Sequence, residues 1–346
     1  MTLLQDIQRL TESRDREGLD GQLALSLCRW LGAREVCVAR VVGEPGEERW
    51  LTTGQAGSAL DAPSGGHAAA PASIIDLRHQ PRLDECVLWR CCLQDRDTVS
   101  AASPEGGVLL CLPLFQSGAQ AAVVELHLDA LPRQARLRDL LDITRIIANH
   151  HALLEYAQHD TLTGLLNRKT FDESFLRVAM PAPVAACGDD QRRARPGLGH
   201  WLALIDIDHF KAINDQHGHL IGDEVLLHMA QLMRRTFRFQ DRLYRFGGEE
   251  FLVLMRCESD ADARAACVRL LEGARAYRFP RVERVTVSVG FAHIEAGMSP
   301  TVAFARADRA VYHAKQHGRD QVRGYAELAQ GGGVAESAQA GEMELF

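Results

Sequence analysis

Arg242-Leu-Tyr-Arg-Phe-Gly-Gly-Glu-Glu-Phe-Leu-Val-Leu-Met255 places two apolar segments on either side of the pair Gly247-Gly248. Two apolar runs around a glycine pair predict a β-hairpin. Glycine at the tip permits a positive φ and lets a ligand approach the backbone closely. Glu249 and Glu250 follow directly. Two carboxylates at the tip of a tight hairpin indicate a site that holds a cation or accepts a proton.

A second segment, Leu202-Ala-Leu-Ile-Asp-Ile-Asp208, predicts an apolar strand that ends in two aspartates. Asp206 and Asp208 are two residues apart, so their side chains leave the same face of the strand. Neighbouring carboxylates repel each other and are costly to desolvate, and Mg²⁺ removes both problems. A solvated strand end is the alternative for this segment alone. Together with the hairpin, it favours metal-assisted phosphoryl transfer.

The bulk composition limits the class of protein. A chain of 346 residues predicts about two domains. The net charge of −7 argues against a nucleic-acid-binding protein, but a local cationic pocket can still hold a nucleotide. No stretch approaches the roughly 18 consecutive apolar residues of a membrane helix, so we expect no membrane insertion.

The cysteines favour a cytoplasmic location. There are nine, an odd number, and they are scattered along the chain. This pattern is typical of reduced thiols in the cytoplasm. Cys86, Cys91 and Cys92 form the one cluster, and its spacing is not that of a zinc site. The sequence leaves open whether these three are redox-active.

Residues 1–131 predict a small α/β domain built on an antiparallel sheet. Residues 3–31 predict two short helices, and residues 54–73, rich in Ala, Gly, Ser and Pro, predict a loop. Strands are predicted at residues 35–42, 74–77, 108–115 and 121–127. The order of elements resembles a GAF sensor domain. A dimerising domain without a ligand is the alternative.

A long helix is predicted over residues 132–158. Its apolar positions are three and four residues apart, which is the 3.5-residue period of a coiled-coil seam. The seam residues are Leu140, Ile143, Ile147, His150, Leu154 and Ala157. About two and a half heptads predict a weak dimer. The helix is also long enough to carry a twist or register shift between two domains.

From residue 159 to residue 326 the pattern predicts a second α/β domain. Strands are predicted at residues 200–207, 241–246, 251–256 and 284–294, and helices at residues 168–179, 222–237, 260–276 and 300–317. Residues 181–199, which contain three arginines, predict a mobile surface loop. Residues 327–346 predict a disordered tail.

Several separated motifs of this second domain resemble those of GGDEF-family diguanylate cyclases. They are Asp160-Thr-Leu-Thr-Gly-Leu-Leu-Asn-Arg168, Asp206-Ile-Asp-His-Phe-Lys-Ala-Ile-Asn-Asp-Gln-His-Gly-His219, Gly222-Asp223, Arg245-Phe-Gly-Gly-Glu-Glu-Phe251 and Ala314-Lys-Gln-His-Gly-Arg-Asp320. The family's third signature position accepts Asp or Glu, so the loop Gly247, Gly248, Glu249, Glu250, Phe251 matches the active pattern. The resemblance implies a palm-like catalytic domain, as in nucleotidyl cyclases and polymerases, within a two-domain α/β (α+β) chain.

The resemblance also implies a reaction and a metal site. Two GTP are condensed to cyclic di-GMP and two diphosphates. Asp206, the backbone carbonyl of Ile207 and Glu249 hold Mg²⁺ or Mn²⁺, two ions per active site, and Glu250 supports the second ion. Glu249 also helps to deprotonate the 3′-hydroxyl of one GTP, which attacks the α-phosphate of the other.

Two further groups of residues are implied to bind the substrate. The first contacts the β- and γ-phosphates, through backbone N–H groups and through cations, two of which are four residues apart and are expected to share a helix face. Its members are His209, Phe210, Lys211, Lys315 and Arg319. The second reads guanine through Asn214 and Asp223, with His219 nearby. An Asp carboxylate accepts from guanine N–H groups that adenine lacks, which favours GTP over ATP.

Arg238-Phe-Gln-Asp241 matches the family's RxxD product-inhibition site at its usual spacing from the signature loop. The planar fork of arginine suits guanine edges and phosphates, and aspartate can pair with guanine N–H groups. Arg269, on the following predicted helix, is the candidate second arginine.

Because each GGDEF-type site binds one GTP, the cyclic product requires two domains that face each other, and the resemblance therefore implies a homodimer. Two other functions remain open. One is a non-catalytic receptor that binds cyclic di-GMP through Arg238 and Asp241. The other is a different nucleotidyl cyclase that makes cyclic AMP–GMP or a mononucleotide product.

Overall fold

A computed structural model describes residues 3–12, 16–43, 46–57, 77–114, 121–179 and 199–330. The chain divides into two compact units, Met1–Ala157 and Gln158–Phe346. Among the described residues, no helix combines the length and the apolar character needed to cross a membrane.

The N-terminal unit contains a five-stranded sheet in the order β2-β1-β5-β4-β3, and every neighbouring pair is antiparallel. The predicted antiparallel sheet is therefore confirmed. Its elements are α1 (Leu3–Glu12), α2 (Arg16–Leu31), β1 (Glu35–Val42), β2 (Arg49–Gly57), α3 (Val87–Asp95), β3 (Val99–Ala102), β4 (Val108–Leu114), β5 (Ala122–Leu128) and α4 (Gln134–Gln158).

Apolar side chains cover both faces of this sheet. On one face, helices α1, α2 and α4 bury residues such as Leu23 and Ile147 against the strands. On the other face, α3 packs Cys92 near Trp50 and Cys111. The strands alternate less strictly than a half-solvated sheet would, because both faces are buried.

Helix α4 is present as predicted, but part of its predicted coiled-coil seam is wrong. Leu140, Ile143 and Ile147 are at most 3% exposed and belong to the apolar core of the N-terminal unit. They pack within their own chain and are not available to a partner. Apolar residues spaced three and four positions apart also form the face by which a helix packs on a sheet, and α4 uses this spacing in that way. Ile146, Leu153 and Tyr156, on a different face, are 43%, 67% and 76% exposed.

A buried ionic cluster joins α2, β1, β2 and α4. Arg40 donates two hydrogen bonds to the Asp20 carboxylate, at 2.5 Å and 2.7 Å. The Thr53 hydroxyl donates to the same carboxylate at 2.6 Å, and Nε2 of His151 lies 3.2 Å from it. Burial raises the pKa of Asp20, but hydrogen bonds with Arg40 and His151 outweigh it and hold that pKa well below its usual value. The carboxylate is therefore fully charged and paired.

The cysteine cluster lies in and beside α3. Burial raises the pKa of the Cys92 thiol to about 12, and burial also raises the pKa of Cys86. A thiol with a raised pKa carries little thiolate at neutral pH, and the thiolate is the reactive form. The surroundings of Cys86 and Cys92 are thus those of structural cysteines.

The C-terminal unit contains a six-stranded sheet in the order β11-β10-β7-β9-β8-β6. The pairs β10–β11 and β6–β8 are parallel, and the other neighbours are antiparallel. Its elements are β6 (Leu166–Asn167), α5 (Arg168–Ala179), β7 (Gly199–Ile207), α6 (Phe210–His217), α7 (His219–Thr236), β8 (Arg242–Gly247), β9 (Glu250–Cys257), α8 (Asp260–Ala276), β10 (Val287–Ile294), α9 (Pro300–Gln316), β11 (Val322–Gly324) and α10 (Tyr325–Gln330).

Strand β7 lies in the middle of this sheet and is buried on both faces. Ala203 and Ile205 point into one apolar core, which includes side chains of α7 and α8, whereas Leu202 and Leu204 point into the other, with side chains of α5 and α9. This double burial explains the continuous apolar run before Asp206.

Several predicted boundaries need correction. The predicted loop at 54–73 begins later, because residues 54–57 continue β2. Leu77, predicted as the end of a strand, begins a short 3₁₀ turn. Residues 327–330 of the predicted tail are helical in α10. The rest of these three segments, and the predicted loop at 181–198, lie outside the described residues.

Candidate active site

The two acidic motifs meet at one edge of the C-terminal sheet. Strand β7 pairs with β9 so that Asp206 lies directly opposite Glu250. Like charges directly opposite each other destabilise a strand pair. The structure therefore brings together two of the predicted metal ligands in an arrangement that favours an added cation.

Lys315 of α9 supplies a positive charge at this position. Its Nζ lies 2.7 Å from the Asp206 carboxylate, which is 8% exposed. Burial raises the pKa of Asp206; Lys315 opposes the rise, and the charges of Glu249 and Asp208 add to it. Burial and the charge of Asp206 likewise raise the pKa of Glu250. One lysine does not neutralise this group of carboxylates.

The hairpin tip is a tight turn held from outside. Gly248 has φ of 46°, in the left-handed region that favours glycine. Arg245 donates to the Gly248 carbonyl oxygen at 3.1 Å and 3.0 Å, and to the Asp160 carboxylate at 3.1 Å. Thr163 donates to Asp160 from its backbone N–H and its hydroxyl, at 2.8 Å and 2.7 Å. The first motif of the domain thus fixes the loop that carries Glu249.

The expected phosphate cradle is the start of a helix. His209 has φ of 57°, which turns the chain sharply out of β7 into α6. The first N–H groups of a helix have no intrahelical partner, so those of Phe210 and Lys211 remain available to an anion. Lys211 itself is exposed on α6.

Arg319 does not share a helix face with Lys315, which corrects the sequence prediction. Helix α9 ends at Gln316, and Gly318 follows with φ of 104°. Arg319, with φ of 60°, therefore lies in a turn beyond the helix. Neither Lys211 nor Arg319 forms an ion pair within the described part of the chain.

The position of Asn214, one of the two residues expected to read guanine, depends on Gly222. Asn214 is near the end of α6, and Asp223 is in the first turns of α7. A Cβ on Gly222 would collide with the side-chain oxygen of Asn214. Glycine at this position therefore allows the Asn214 amide to lie beside the helix turn that carries Asp223. His219 is exposed at the first residue of α7.

Asp208 shares the strand-end motif with Asp206, but its carboxylate is engaged by hydrogen bonds within the fold. Its carboxylate accepts hydrogen bonds from the hydroxyls of Thr286 and Ser288 at 2.8 Å and 2.7 Å. It also accepts from the backbone N–H of Asp320 at 3.1 Å. Asp208 therefore acts inside the fold, and the acidic side chains left for a cation are Asp206, Glu249 and Glu250.

These donors fit Mg²⁺ or Mn²⁺ by their chemistry, because all are hard oxygen ligands. Among the described residues, no three acidic, His or Cys side chains are assembled as a complete metal site. Mg²⁺ usually binds through one or two carboxylates and completes its coordination with water and substrate phosphates. The opposed pair Asp206 and Glu250 meets that requirement.

The three residues predicted for product inhibition lie together at a second position. Arg238, Asp241 and Arg269 line a shallow cavity of about 70 Å³, together with Arg256. Burial raises the pKa of Asp241, although hydrogen bonds from the backbone N–H groups of Arg238 and Arg256 oppose the rise. Arg256 was not predicted; it follows the apolar run of β9, where no motif marks it.

Arg245 and Asp160 were also missed as functional supports. Both belong to motifs that resemble the family, but the sequence alone assigns them no contact. The hydrogen bond between Arg245 and Asp160 joins residues 85 positions apart. The pairing of β6 with β8 brings them together in the fold.

Comparisons with known proteins find similarity in the part of the chain that carries this candidate site. Residues 157–321 match the family described as "Diguanylate cyclase, GGDEF domain". Diguanylate cyclase DgcZ of Escherichia coli (strain K12) is 34% identical over 205 residues, which are 58% of this chain and 65% of that protein. Diguanylate cyclase DgcP of Pseudomonas aeruginosa is 40% identical over 166 residues, 47% of this chain and 23% of that protein.

Among solved structures, the GGDEF domain of DgcB from Caulobacter crescentus, in complex with c-di-GMP, is 30% identical with a TM-score of 0.42 and covers 49% of this chain and 96% of that one. The chain spans less than two thirds of the length of DgcZ and DgcP. Residues 157–321 are therefore similar to a GGDEF domain.

Proposed function

We propose that the protein is a diguanylate cyclase, which condenses two GTP into cyclic di-GMP and two diphosphates. The observation that carries the proposal is the pairing of Asp206 with Glu250 beside Lys315, at the edge where the loop of Glu249 ends. This arrangement supplies paired carboxylates and a cation within reach of one another, as phosphoryl transfer requires.

The proposed roles follow from the positions of the side chains. Asp206, the carbonyl of Ile207, Glu249 and Glu250 would hold Mg²⁺ or Mn²⁺, which stabilises the charge that develops on transferring phosphoryl oxygens. Glu249, at the hairpin tip, accepts the proton of the attacking 3′-hydroxyl. The bond from that oxygen to the α-phosphate of the second GTP forms as the bond to diphosphate breaks.

Selectivity for guanine rests on Asn214 and Asp223. The Asp223 carboxylate accepts from guanine N1–H and N2–H₂, a pattern that adenine does not offer. Lys211, Lys315 and Arg319 bind the phosphates, with the first N–H groups of α6. Lys315 is 34% exposed and is therefore accessible to a nucleotide from solvent.

The proposal is tested by incubating the protein with Mg²⁺ and GTP, with and without ATP, and separating the products by chromatography. We expect cyclic di-GMP from GTP alone and no mixed product. Glu249→Gln should abolish product and leave the fold intact by circular dichroism; Glu258→Gln is the matched control. A mixed AMP–GMP or mononucleotide product would favour another cyclase. Binding of cyclic di-GMP without turnover would favour a receptor.

The cavity at Arg238 is the proposed site of product inhibition. Arg238 and Arg269 would bind the phosphates and guanine edges of cyclic di-GMP, as planar guanidinium groups do. Arg238→Ala should relieve inhibition by added product while the initial rate stays unchanged. Inhibition of equal strength in wild type and variant would contradict this role.

A homodimer follows from the chemistry, since each site would bind one GTP and the product joins two. The buried residue Ile147 cannot test association, because a charge there would disrupt the N-terminal core. Leu153 and Tyr156 are exposed on α4 and can be changed without that effect. Sedimentation of wild type and of Leu153→Lys, with turnover measured against protein concentration, tests whether activity requires two chains and whether this face contributes.

The N-terminal unit is proposed to be a GAF-like sensor in the cytoplasm. The support is an antiparallel sheet with helices on both faces, followed directly by the long helix α4. Removing the N-terminal unit, residues 1–157, should change the rate of cyclic di-GMP synthesis. An equal rate would leave this unit without a regulatory role.

A further inference from the structure

Asp208 is a buried carboxylate that the proposed chemistry does not use. It is 4% exposed, in the turn between β7 and α6. Both of its oxygens are occupied: Oδ1 accepts from the Ser288 hydroxyl, and Oδ2 accepts from the Thr286 hydroxyl and from the backbone N–H of Asp320. Its own backbone N–H donates to the Thr286 carbonyl at 2.9 Å. A charge with this many donors is held in one position.

These bonds join three parts of the C-terminal sheet and its loops. Asp208 directly follows β7, the strand of Asp206. Thr286 directly precedes β10, Ser288 is the second residue of β10, and Asp320 lies in the turn after α9. That turn carries Arg319. The Asp208 carboxylate is thus a direct link between the metal-binding strand and the turn of a proposed phosphate-binding arginine.

The turn itself requires external support. Gly318, Arg319 and Asp320 have φ of 104°, 60° and 48°, so three consecutive residues are in the left-handed region. For residues other than glycine this conformation is unfavourable and persists only where the surroundings enforce it. On the side of α9, the N–H of Arg319 donates to the Ala314 carbonyl at 2.9 Å.

Two arginines hold the turn from its other side. Arg275 donates to the Asp320 carboxylate at 2.9 Å and to its backbone carbonyl at 2.7 Å. Arg284 donates to the second carboxylate oxygen at 3.2 Å. Both arginines are partly exposed, at 42% and 64% of their side chains, so their ion pairs are weaker than the buried contact with Asp208.

We infer that Asp208 is a positioning residue for substrate binding: through the N–H of Asp320 it fixes the left-handed turn that places Arg319 beside the phosphates of GTP. The inference rests on the proposed function. Protein donors engage both oxygens of Asp208, and the inference assigns this residue no contact with substrate or metal. Its effect therefore passes through Arg319, and it acts on the affinity for the triphosphate more than on the chemical step.

The test is a double-mutant cycle between Asp208→Asn and Arg319→Ala, with KM for GTP and kcat measured for each protein. A misplaced binding group weakens substrate binding by between about tenfold and about a hundredfold, and we expect KM to rise in this range for Asp208→Asn. In the Arg319→Ala background the same substitution should change KM less than about twofold, because the group it positions is gone. kcat should change less than KM in both backgrounds.

Arg275→Ala is the second variant, since it loosens the same turn from a partly exposed position and is expected to fold. Its rise in KM should also disappear in the Arg319→Ala background. Arg278→Ala, an exposed arginine after α8, is the matched control and should leave KM unchanged.

Equal rises in KM with and without Arg319, or an unchanged KM in folded Asp208→Asn and Arg275→Ala, would overturn the inference while the cyclase assignment stands. A wild-type protein that neither binds nor converts GTP would overturn the proposed function and the inference with it.

Discussion

Asp20 in the N-terminal unit and Asp206 in the C-terminal unit are both buried aspartates, and their surroundings shift their pKa values in opposite directions. Asp20 is 1% exposed and accepts from Arg40 and Thr53, with His151 beside it. Asp206 is 5% exposed and has Lys315 as a cationic partner, but it faces the carboxylate of Glu250. The pKa of Asp20 lies far below its usual value, and that of Asp206 lies above it.

The difference separates a structural carboxylate, Asp20, from one that the proposed function uses, Asp206. Protein donors already satisfy the hydrogen-bonding capacity of the Asp20 carboxylate, so a ligand would gain no further interaction with it. Asp20 therefore stabilises the fold that surrounds it. A buried carboxylate that faces other carboxylates destabilises the fold through charge repulsion, and a bound cation can offset this destabilisation. The predictions below test this contrast, from the largest expected effect to the smallest.

Asp206→Asn should reduce turnover of GTP by at least about a thousandfold, because it removes a proposed metal ligand at the proposed site of phosphoryl transfer. The free energy of unfolding of the C-terminal unit, measured in urea without divalent ions, should change by less than about 1 kcal/mol, since the lost ion pair and the relieved repulsion oppose each other. Asp172→Asn, on the exposed face of α5, is the control for both measurements. A large loss of stability would mean that Asp206 is structural after all.

Asp20→Asn should show the reverse pattern. It leaves the buried Arg40 guanidinium without its charged partner, and breaking a buried pair in this way costs about 3 to 5 kcal/mol. The loss should appear in the urea-induced unfolding transition of the N-terminal unit. Asp142→Asn, exposed on α4, is the matched control. A destabilisation below about 1 kcal/mol would remove the contrast between the two aspartates.

Acid should destabilise the N-terminal unit through Asp20. The pKa of Asp20 is lower in the folded state, so the folded state binds fewer protons than the unfolded chain. Its contribution to stability is fully present above the unfolded value of about 3.9 and is lost as the pH falls toward the folded pKa, at up to about 1.4 kcal/mol per pH unit. Urea unfolding at several values between pH 5 and pH 3 measures this slope. An equal slope in Asp20→Asn would assign it to other groups.

Thr53→Val should have the smallest effect, about 1 kcal/mol, because it removes one neutral donor from a carboxylate that retains Arg40. The measurement is again the unfolding transition of the N-terminal unit. Thr52→Val, on the exposed side of β2, is the control. A loss equal to that of Asp20→Asn would show that the cluster tolerates no missing donor.

Much of the C-terminal fold is predictable from local sequence. Helices α5 and α8 have the predicted bounds, and α8 begins where the Ser259 side chain accepts from the N–H of Asp262, a cap that the sequence signals. Helix α6 was missed, because it has eight residues and follows β7 after a single left-handed residue, His209. Such a turn has no reliable signature in a residue other than glycine.

The sequence identifies which residues belong to the candidate site better than it predicts the contacts between them. That Asp206, Glu249 and Glu250 form one acidic site was expected from two separate motifs, but the strand register that sets Asp206 opposite Glu250 was not. The position of Arg319 was not predictable from its spacing to Lys315, because Gly318 ends the helical geometry between them. The filled carboxylate of Asp208 depends on residues 78 and 112 positions away, which no local pattern encodes.

The apolar face of α4 has a practical consequence for dissecting the protein. Leu140, Ile143 and Ile147 belong to the core of the N-terminal unit. Helix α4 is therefore part of that unit and is not an independent linker. A truncated protein that starts at residue 132 would carry α4 with its apolar face exposed to solvent, and exposed apolar patches promote aggregation. The second compact unit begins at Gln158, so a measurement of catalysis by the C-terminal unit alone should use a protein that starts near that residue.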